Sequence, residues 1–284
     1  MKKQKYLYLL LLLPFLVVAF MYEIIPLIMV IINSFTSDSG AAGFTLENYQ
    51  TVFTKLLYQK AITNSIKISL RSAIIGMIIA FFGAKAAHWA GGKIDSVFTT
   101  ILNMVSNFSG VPLAFAYMIL MGNAGVMVQI GRTLGIDALA NFDLYTMNGM
   151  SMVYVYFQVP LATLLIMPAF EGIRKEWREA STLLGASSAK FWLKVGVPVL
   201  MPSIMSTFSV LFANALAAYA TVYALMMNGI SLLPIQISGC FVGEVTIQNG
   251  LGGALSVVMM VIMVIMILIT NAISRYFQKG VRKA

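Results

Sequence analysis

Few side chains in this sequence could carry out acid–base or metal chemistry. The chain has ten Asp and Glu residues, one histidine (His88) and one cysteine (Cys240). A lone cysteine forms no internal disulfide and no cysteine-ligated metal cluster, and a lone histidine excludes a histidine-based metal site. The carboxylates do not pair along the apolar stretches of the chain. The sequence therefore predicts no metal site and no enzyme active site.

The nearest approach to a nucleotide-binding loop is Gly92-Lys93. A P-loop needs glycines whose backbone cradles phosphates, and a Ser or Thr after the lysine to hold magnesium. Here Ala87 stands where the first glycine should be, and Ile94 follows the lysine. No strand precedes the segment. We therefore predict that this chain binds no ATP and no magnesium itself.

The charged candidates for handling a solute are few. Glu23 lies within a long apolar run, where a carboxylate is a functional candidate by default. The alternative is that it lies near the interface and pairs with Lys67 or Arg71. These two cations are one helical turn apart, where they could attract an anion or anchor the helix at the headgroups. Glu244 could serve an outer gate or lie exposed in a loop.

Two aromatic candidates, Tyr219 and Tyr223, are also one helical turn apart in an apolar run. Packing is the ordinary role of such a pair, and an aromatic wall of a solute pathway is the functional one. His88, beside Trp89, is predicted to be interfacial rather than a proton relay.

The composition shows what must position these side chains. Of 284 residues, 60% are hydrophobic and 10% are charged, whereas soluble domains carry about 25% charged residues. The long continuous apolar runs predict membrane-spanning helices. We predict an all-α membrane protein, a single transmembrane domain over residues 1–284, with six spans: 6–32, 63–87, 98–121, 150–170, 199–226 and 251–273.

The basic residues predict the orientation of the spans. The net charge is +9, and Lys and Arg collect in cytoplasmic loops of membrane proteins. Most lie in the N-terminal tail, the second and fourth connections and the C-terminal tail, which share one face in a six-span arrangement. Both termini are therefore predicted to be cytoplasmic, and the charge needs no nucleic acid to explain it.

The fourth connection, residues 171–198, is the most informative segment. Ile173, Trp177, Ala180 and Leu184 recur at helical spacing and predict one apolar face. Gly185 can end that helix in the left-handed conformation, and Ser187 or Ser188 can begin another. The segment predicts a helix-turn-helix along the membrane surface, which could lie in the lipid interface or dock onto a cytoplasmic partner.

The amino-acid sequence of this segment resembles the cytoplasmic loop of binding-protein-dependent ABC permeases. The resemblance lies in the stretch EASTLLGASSAKFWLKVGVP. That family carries Glu-Ala-Ala, three residues, Gly, nine residues, an aliphatic, any residue, an aliphatic and Pro. The matching positions here are Glu179, Ala180, Ser181, Gly185, Val195, Val197 and Pro198. Ser181 for Ala is a departure that keeps a small side chain. FTLENYQTVF, residues 44–53, and Asn64-Ser65 are also similar to stretches of these permeases.

The resemblance also implies the other subunits of the transporter. The loop would fit a cleft of a separate ATPase subunit, which would bind ATP and Mg. Two permease chains, which the resemblance favours as different homologues, two ATPase chains and one extracytoplasmic solute-binding protein would form the importer in the bacterial inner membrane.

The substrate is left open by the residues. The LLGAS wording resembles the branch that handles polyamines, ferric iron, thiamine and aminophosphonates, which favours spermidine, putrescine or 2-aminoethylphosphonate. A sugar or ferric iron permease is an alternative within the family. A secondary transporter is the alternative outside it, although intramembrane acids and paired half-helices, which such proteins use, are scarce in the sequence.

Overall fold

A computed structural model describes the backbone of residues 2–38, 43–227, 229–242 and 247–283, and the side chains of 11–38, 43–227, 229–242 and 247–278. The regular secondary structure of the described residues is helical, with turns and short loops between the helices and one isolated bridge between Thr36 and Phe44. The elements are α1 Lys2–Ala19, π1 Phe20–Ile24, α2 Ile25–Ser34, α3 Glu47–Thr54, α4 Leu56–Ala90, α5 Gly92–Ser106, α6 Val111–Met121, α7 Val126–Leu134, α8 Asp137–Ala140, α9 Met147–Phe170, α10 Lys175–Leu183, α11 Ser188–Phe191, π2 Trp192–Gly196, α12 Val197–Ala217, α13 Ala220–Met226, α14 Leu233–Phe241 and α15 Asn249–Lys283, where π denotes a π-helical segment.

Six stretches of helix in the described residues are long and apolar enough to cross a membrane. Their number and the all-α class confirm the sequence prediction. They are Leu11–Ser34, Leu56–Ala90, Val111–Leu134, Met147–Phe170, Ser188–Ala217 and Asn249–Gln278.

Two of the predicted continuous spans are broken, so the predictions for residues 98–121 and 199–226 were wrong in this respect. The first break separates α5 from α6, where Gly110 has a φ of +71° and Pro112 lies in the first turn of α6. Proline has no N–H to continue a helix, and its ring clashes with the preceding turn. The second break separates α12 from α13 at Ala218, whose backbone is extended.

The centre of the fold is the contact between α4 and α9. Small residues on α4 let the two backbones approach closely, as is usual between membrane helices. A Cβ added at Gly76 would lie 2.9 Å from the Cβ of Gln158. Ala73 and Ala80, one turn to either side, are fully buried. Any larger residue at position 76 would force these two helices apart.

The first span stands apart from this centre. None of its most apolar window is buried within the chain. Its second half, α2, packs against another span, α15. The segment π1 interrupts it and carries Glu23, whose side chain is exposed. This span therefore relies on lipid or another chain to cover its surface.

Candidate solute cavity and coupling segment

The two broken spans meet at their breaks. The Thr221 hydroxyl at the start of α13 donates a 3.2 Å hydrogen bond to the Gly110 carbonyl, which precedes α6. A Cβ built on Gly110 would lie 3.8 Å from that of Ala220. Helix ends leave backbone groups without intrahelical partners. The crossing therefore places polar backbone groups from four helix ends, those of α5, α6, α12 and α13, within an otherwise apolar bundle.

A cavity of about 400 Å³ lies at this crossing. By helix rise it lies roughly 20–30 Å from the opposite ends of α5 and α12, at Gly92 and Val197. Its lining residues are uncharged and partly polar, and Tyr219 is the one ionisable side chain among them. The lining residues are Ser106, Ser109, Gly110, Phe157, Leu161, Asn214, Ala217, Ala218, Tyr219, Ala220 and Thr221.

A hydrogen-bonded amide pair supports one wall of the cavity. Gln158 is fully buried, and its Nε2 donates a 2.6 Å hydrogen bond to the Leu211 carbonyl on α12. Its Oε1 accepts from Asn214 Nδ2 at 3.4 Å. Tyr154, one turn earlier, donates to the Ala218 carbonyl at 3.3 Å. These contacts hold α9 against α12 where the fifth span breaks.

A second cavity, of about 320 Å³, continues along the same pair of helices. Leu165 lies one turn after Leu161 on α9, so the two cavities follow one another along α9 and α12. The other lining residues are Pro202, Ser203, Ser206, Thr207 and Val210. Ser206 and Asn214 are both exposed. Polar side chains exposed on a spanning helix are costly against lipid, so this face is suited to water or to another chain.

The predicted aromatic pair is partly at the cavity. The rings of Tyr219 and Tyr223 stack, with centroids 5.2 Å apart and an interplanar angle of 23°. Tyr219 lines the cavity, whereas Tyr223 is not among the lining residues.

None of the charged residues that the sequence predicted as functional, and that the structure describes, lines the cavity. Glu23 lies on the exposed first span and, within the described side chains, pairs with neither predicted cation. Lys67 and Arg71 are exposed, and Arg71 Nη1 donates a 2.6 Å hydrogen bond to the Asn148 side chain. Glu244 lies outside the described residues. The suggested pairing of Glu23 with Lys67 or Arg71 is therefore absent from the described chain.

Between the fourth and fifth spans, two short helices, α10 and α11, are joined by a turn, and α10 begins at Lys175. Gly185 has a φ of +75°. Its N–H donates to the Thr182 carbonyl at 2.9 Å, and the Ala186 N–H donates to the Ser181 carbonyl at 2.9 Å. These are the two bonds of a Schellman motif. Ser187, one of the two predicted caps, accepts from the Lys190 N–H at 3.3 Å and starts α11.

The residues of the predicted apolar face of this segment do not share one environment, because some are buried and others are exposed. Ile173 is buried and anchors the segment to the bundle, whereas Leu184 and its neighbour Leu183 expose 87% and 90% of their surface. Two adjacent leucines so exposed form an apolar knob at the turn. Of the predicted coupling residues, Glu179, Ala180 and Gly185 are exposed, and Ser181, Val195, Val197 and Pro198 are half-buried.

The cavity residues, except Tyr219, were missed at the sequence level. One signal was available for the first break, since Ser109-Gly110-Val111-Pro112 is typical of a turn leading into a helix. The second break, at Ala218, contains neither Gly nor Pro. Only the packing against Gly110 and Tyr154 identifies it.

Comparison with known proteins agrees with this architecture. The family described as "Binding-protein-dependent transport system inner membrane component" matches residues 72–283. A probable sulfate transport system permease protein of Helicosporidium sp. subsp. Simulium jonesii is 24% identical and covers 89% of this chain and 90% of its own. The spermidine/putrescine permease PotC of Haemophilus influenzae is 24% identical, covering 92% and 95%. A bacterial alginate ABC transporter structure aligns with a TM-score of 0.77 and 16% identity, covering 96% of each chain.

Together, the fold and the family match place this chain among the permease subunits of ABC importers. The chain belongs to the binding-protein-dependent transport system inner membrane component family, and it is a multi-pass inner membrane protein. Other relatives are named for 2-aminoethylphosphonate, alpha-glucoside and thiamine transport. The names of relatives at this identity therefore leave the substrate unresolved.

Proposed function

We propose that this chain forms one wall of the solute pathway of an ATP-driven importer and takes its driving force from a separate ATPase. The observation that carries the proposal is the cavity at the crossing of two broken spans. The solute would pass along α9 and α12, through the two consecutive cavities. The exposed Ser206 and Asn214 line this path, and a second permease chain would cover its open side.

The segment 171–198 would dock onto the ATPase from the cytoplasmic side. Its support is the exposed knob of Leu183 and Leu184 beside Glu179, held at a fixed angle by the turn at Gly185. An exposed apolar knob on a helix fits a groove on a partner protein. ATP and Mg would be held by that partner, and both termini of this chain would lie in the cytoplasm.

The solute would be an amine, with a polyamine or 2-aminoethylphosphonate as the proposed substrate. The C-terminal ends of α5 and α12 border the cavity at Ser106 and Ala217, and the N-terminal ends of α6 and α13 border it at Gly110 and Ala220. The two C-terminal ends are the part of the lining that would receive an amine. Free carbonyl groups and the partial negative charge at a helix C-terminus stabilise cations. These ends would receive an ammonium group without a carboxylate that would hold it too tightly for release, and the N-terminal ends of α6 and α13 would receive the anionic group of 2-aminoethylphosphonate.

Uptake by proteoliposomes tests the function. The chain would be purified with the proteins that copurify with it, and reconstituted with the solute-binding protein encoded beside it. Radiolabelled spermidine, putrescine, 2-aminoethylphosphonate and maltose would be offered with and without internal MgATP. The expected result is uptake of one amine that requires both MgATP and the binding protein. The matched variants Asn214→Leu and Asn148→Leu separate the cavity from the surface, since only Asn214 borders the cavity.

Two outcomes would contradict parts of the proposal. Uptake driven by an ion gradient in liposomes that hold this chain alone would identify a secondary transporter. Uptake of maltose rather than an amine would leave the importer function standing and overturn the proposed substrate.

A further inference from the structure

Two cation–π contacts join the coupling segment to the second span. The guanidinium carbon of Arg178 on α10 lies 4.4 Å from the centroid of the Trp89 ring, at the end of α4. Lys85 Nζ, one turn earlier on α4, lies 4.4 Å from the centroid of the Trp192 ring in π2. The cation is on the coupling segment in one contact and on α4 in the other. Both distances are within the range of an effective cation–π interaction.

The Trp192 contact is held by dense aromatic packing. Trp192 is buried, and its ring lies 5.9 Å from that of Phe81 and 6.0 Å from that of Phe170. A Cβ added at Gly196 would lie 2.5 Å from the Trp192 ring. The π-helical turn and Gly196 together make the space in which the ring lies flat against its own helix. Trp192 therefore cannot shift without moving α4 or the start of α12.

The helix α4 extends from this contact past the cavity wall to the opposite end of the bundle. It is a single helix of 35 residues, about 50 Å long at the usual rise. Along its length Gly76 packs against Gln158, the residue that supports the cavity. At its far end Ser65 Oγ accepts the Leu233 N–H at 2.8 Å, and Asn64 Nδ2 donates to the Ser231 carbonyl at 3.1 Å.

We propose that Lys85 and Trp89 are positioning residues that transmit movement of the coupling segment to α4, and through α4 to the cavity and the outer loop. The inference rests on the proposed function, because it assumes that an ATPase moves the segment 171–198. Two contacts of opposite polarity, one turn apart, make α4 follow the segment in rotation as well as in translation. A single hydrophobic contact would allow the segment to slide along α4.

The test measures movement at the far end of α4 when ATP acts at the near end. Lys60, exposed near the outer end, is changed to cysteine and labelled with a membrane-impermeant maleimide in the copurified complex, with and without MgATP and vanadate. The variants Lys85→Gln and Trp89→Leu remove the cation–π partners. Lys85→Arg and Trp89→Phe keep them. Lys93→Gln is the matched control, since it removes a charge from an exposed lysine just beyond α4.

In the parent protein we expect MgATP with vanadate to change the labelling rate about fivefold or more, the usual lower range of coupling between distant sites. Lys85→Gln and Trp89→Leu should abolish most of this change while the ATPase remains bound and hydrolyses ATP. Lys85→Arg, Trp89→Phe and Lys93→Gln should retain it. A parent-sized change in Lys85→Gln and Trp89→Leu would overturn the inference. If no ATPase copurifies with the parent protein, the proposed function itself fails.

Discussion

The Asp38 carboxylate closes the N-terminal end of the last helix, α15. Its two oxygens accept the backbone N–H groups of Gly250 at 2.7 Å and Leu251 at 2.9 Å. A Cβ on Gly250 would lie 2.4 Å from the Thr36 carbonyl, so the loop after the first span lies directly on this helix end. The C-terminal end of the first span and the N-terminal end of the sixth are thereby fixed together.

Replacing Asp38 by Ala should destabilise the protein by about 1 kcal/mol, the usual cost of removing a helix cap. The cost arises because the free N–H groups of α15 lose their acceptors. The measurement is thermal unfolding in detergent, followed by loss of the helical circular dichroism signal. Asp38→Asn, which keeps one oxygen acceptor, should lose less. Equal losses in the Ala and Asn variants would show that charge, rather than the hydrogen bond, is responsible.

Gly185→Pro should abolish ATP-dependent uptake. Proline cannot adopt the φ of +75° found here and lacks the N–H that donates to Thr182. Glu179→Lys should do the same by reversing a charge on the exposed face of α10. Uptake by proteoliposomes is the measurement, and Gly239→Ala is the control, because open space surrounds its added Cβ. Normal uptake in both coupling variants would rule out the proposed role of the segment.

Gly196→Ala should destabilise the chain by about 1–3 kcal/mol, the cost of forcing extra volume into a packed site. The new methyl group would meet the Trp192 ring at 2.5 Å, so either the ring or the π-helical turn must move. Trp192→Leu in the same chain should relieve the clash. Thermal unfolding of the two single variants and the double variant measures this coupling, and simple additivity of their effects would contradict it.

Gln158→Leu should cost about 1–3 kcal/mol, because it removes the hydrogen bonds that the fully buried Gln158 makes to the Leu211 carbonyl and the Asn214 amide. It should also reduce uptake, since α9 and α12 are then free to separate at the cavity. Thr163→Val serves as a comparison on the same helix, since Thr163 bonds only within its own helix, to Val159. A larger loss in Thr163→Val than in Gln158→Leu would contradict this assignment.

Cys240 should resist alkylation at neutral pH. Burial, with a smaller effect of Asp38, raises the pKa of its thiol to about 11, and the thiolate is the reactive form. Reactivity should therefore rise with pH and remain low until the pH approaches 11. Labelling with N-ethylmaleimide between pH 7 and pH 10, read by mass spectrometry, is the measurement. Rapid labelling at pH 7 would show that the thiol is accessible and its pKa ordinary.

The sequence predicted the number of spans because hydropathy over about 20 residues is a local property. It predicted the turn at Gly185 for the same reason. The residue that follows a helix often adopts a positive φ, and glycine is the residue type that does so without steric cost. It also predicted Ser187 or Ser188 as a cap, and Ser187 is the one that caps α11. These features depend on neighbours along the chain and not on packing between spans.

The cavity could not be predicted in this way. The break at Ala218 contains no residue that opposes helix formation, and it is held by contacts from Tyr154 and the neighbouring Thr221 to distant carbonyls. The cation–π contacts likewise join Lys85 to Trp192, more than a hundred positions apart in sequence. Such pairs become visible only when the helices are placed side by side.

The bare surface of the first span has a consequence for how the importer is built. Because no residue of the apolar window within Leu11–Ser34 is buried in its own chain, whereas α2 packs on α15, the position of the α1 end of this span costs little to change until another chain packs against it. Newly made chains would thus carry a loosely held arm that settles only when a neighbour arrives. A quality-control protease that recognises unpacked membrane helices would therefore bind the first span of an unassembled subunit. In the assembled transporter the same helix would be covered and protected from cleavage.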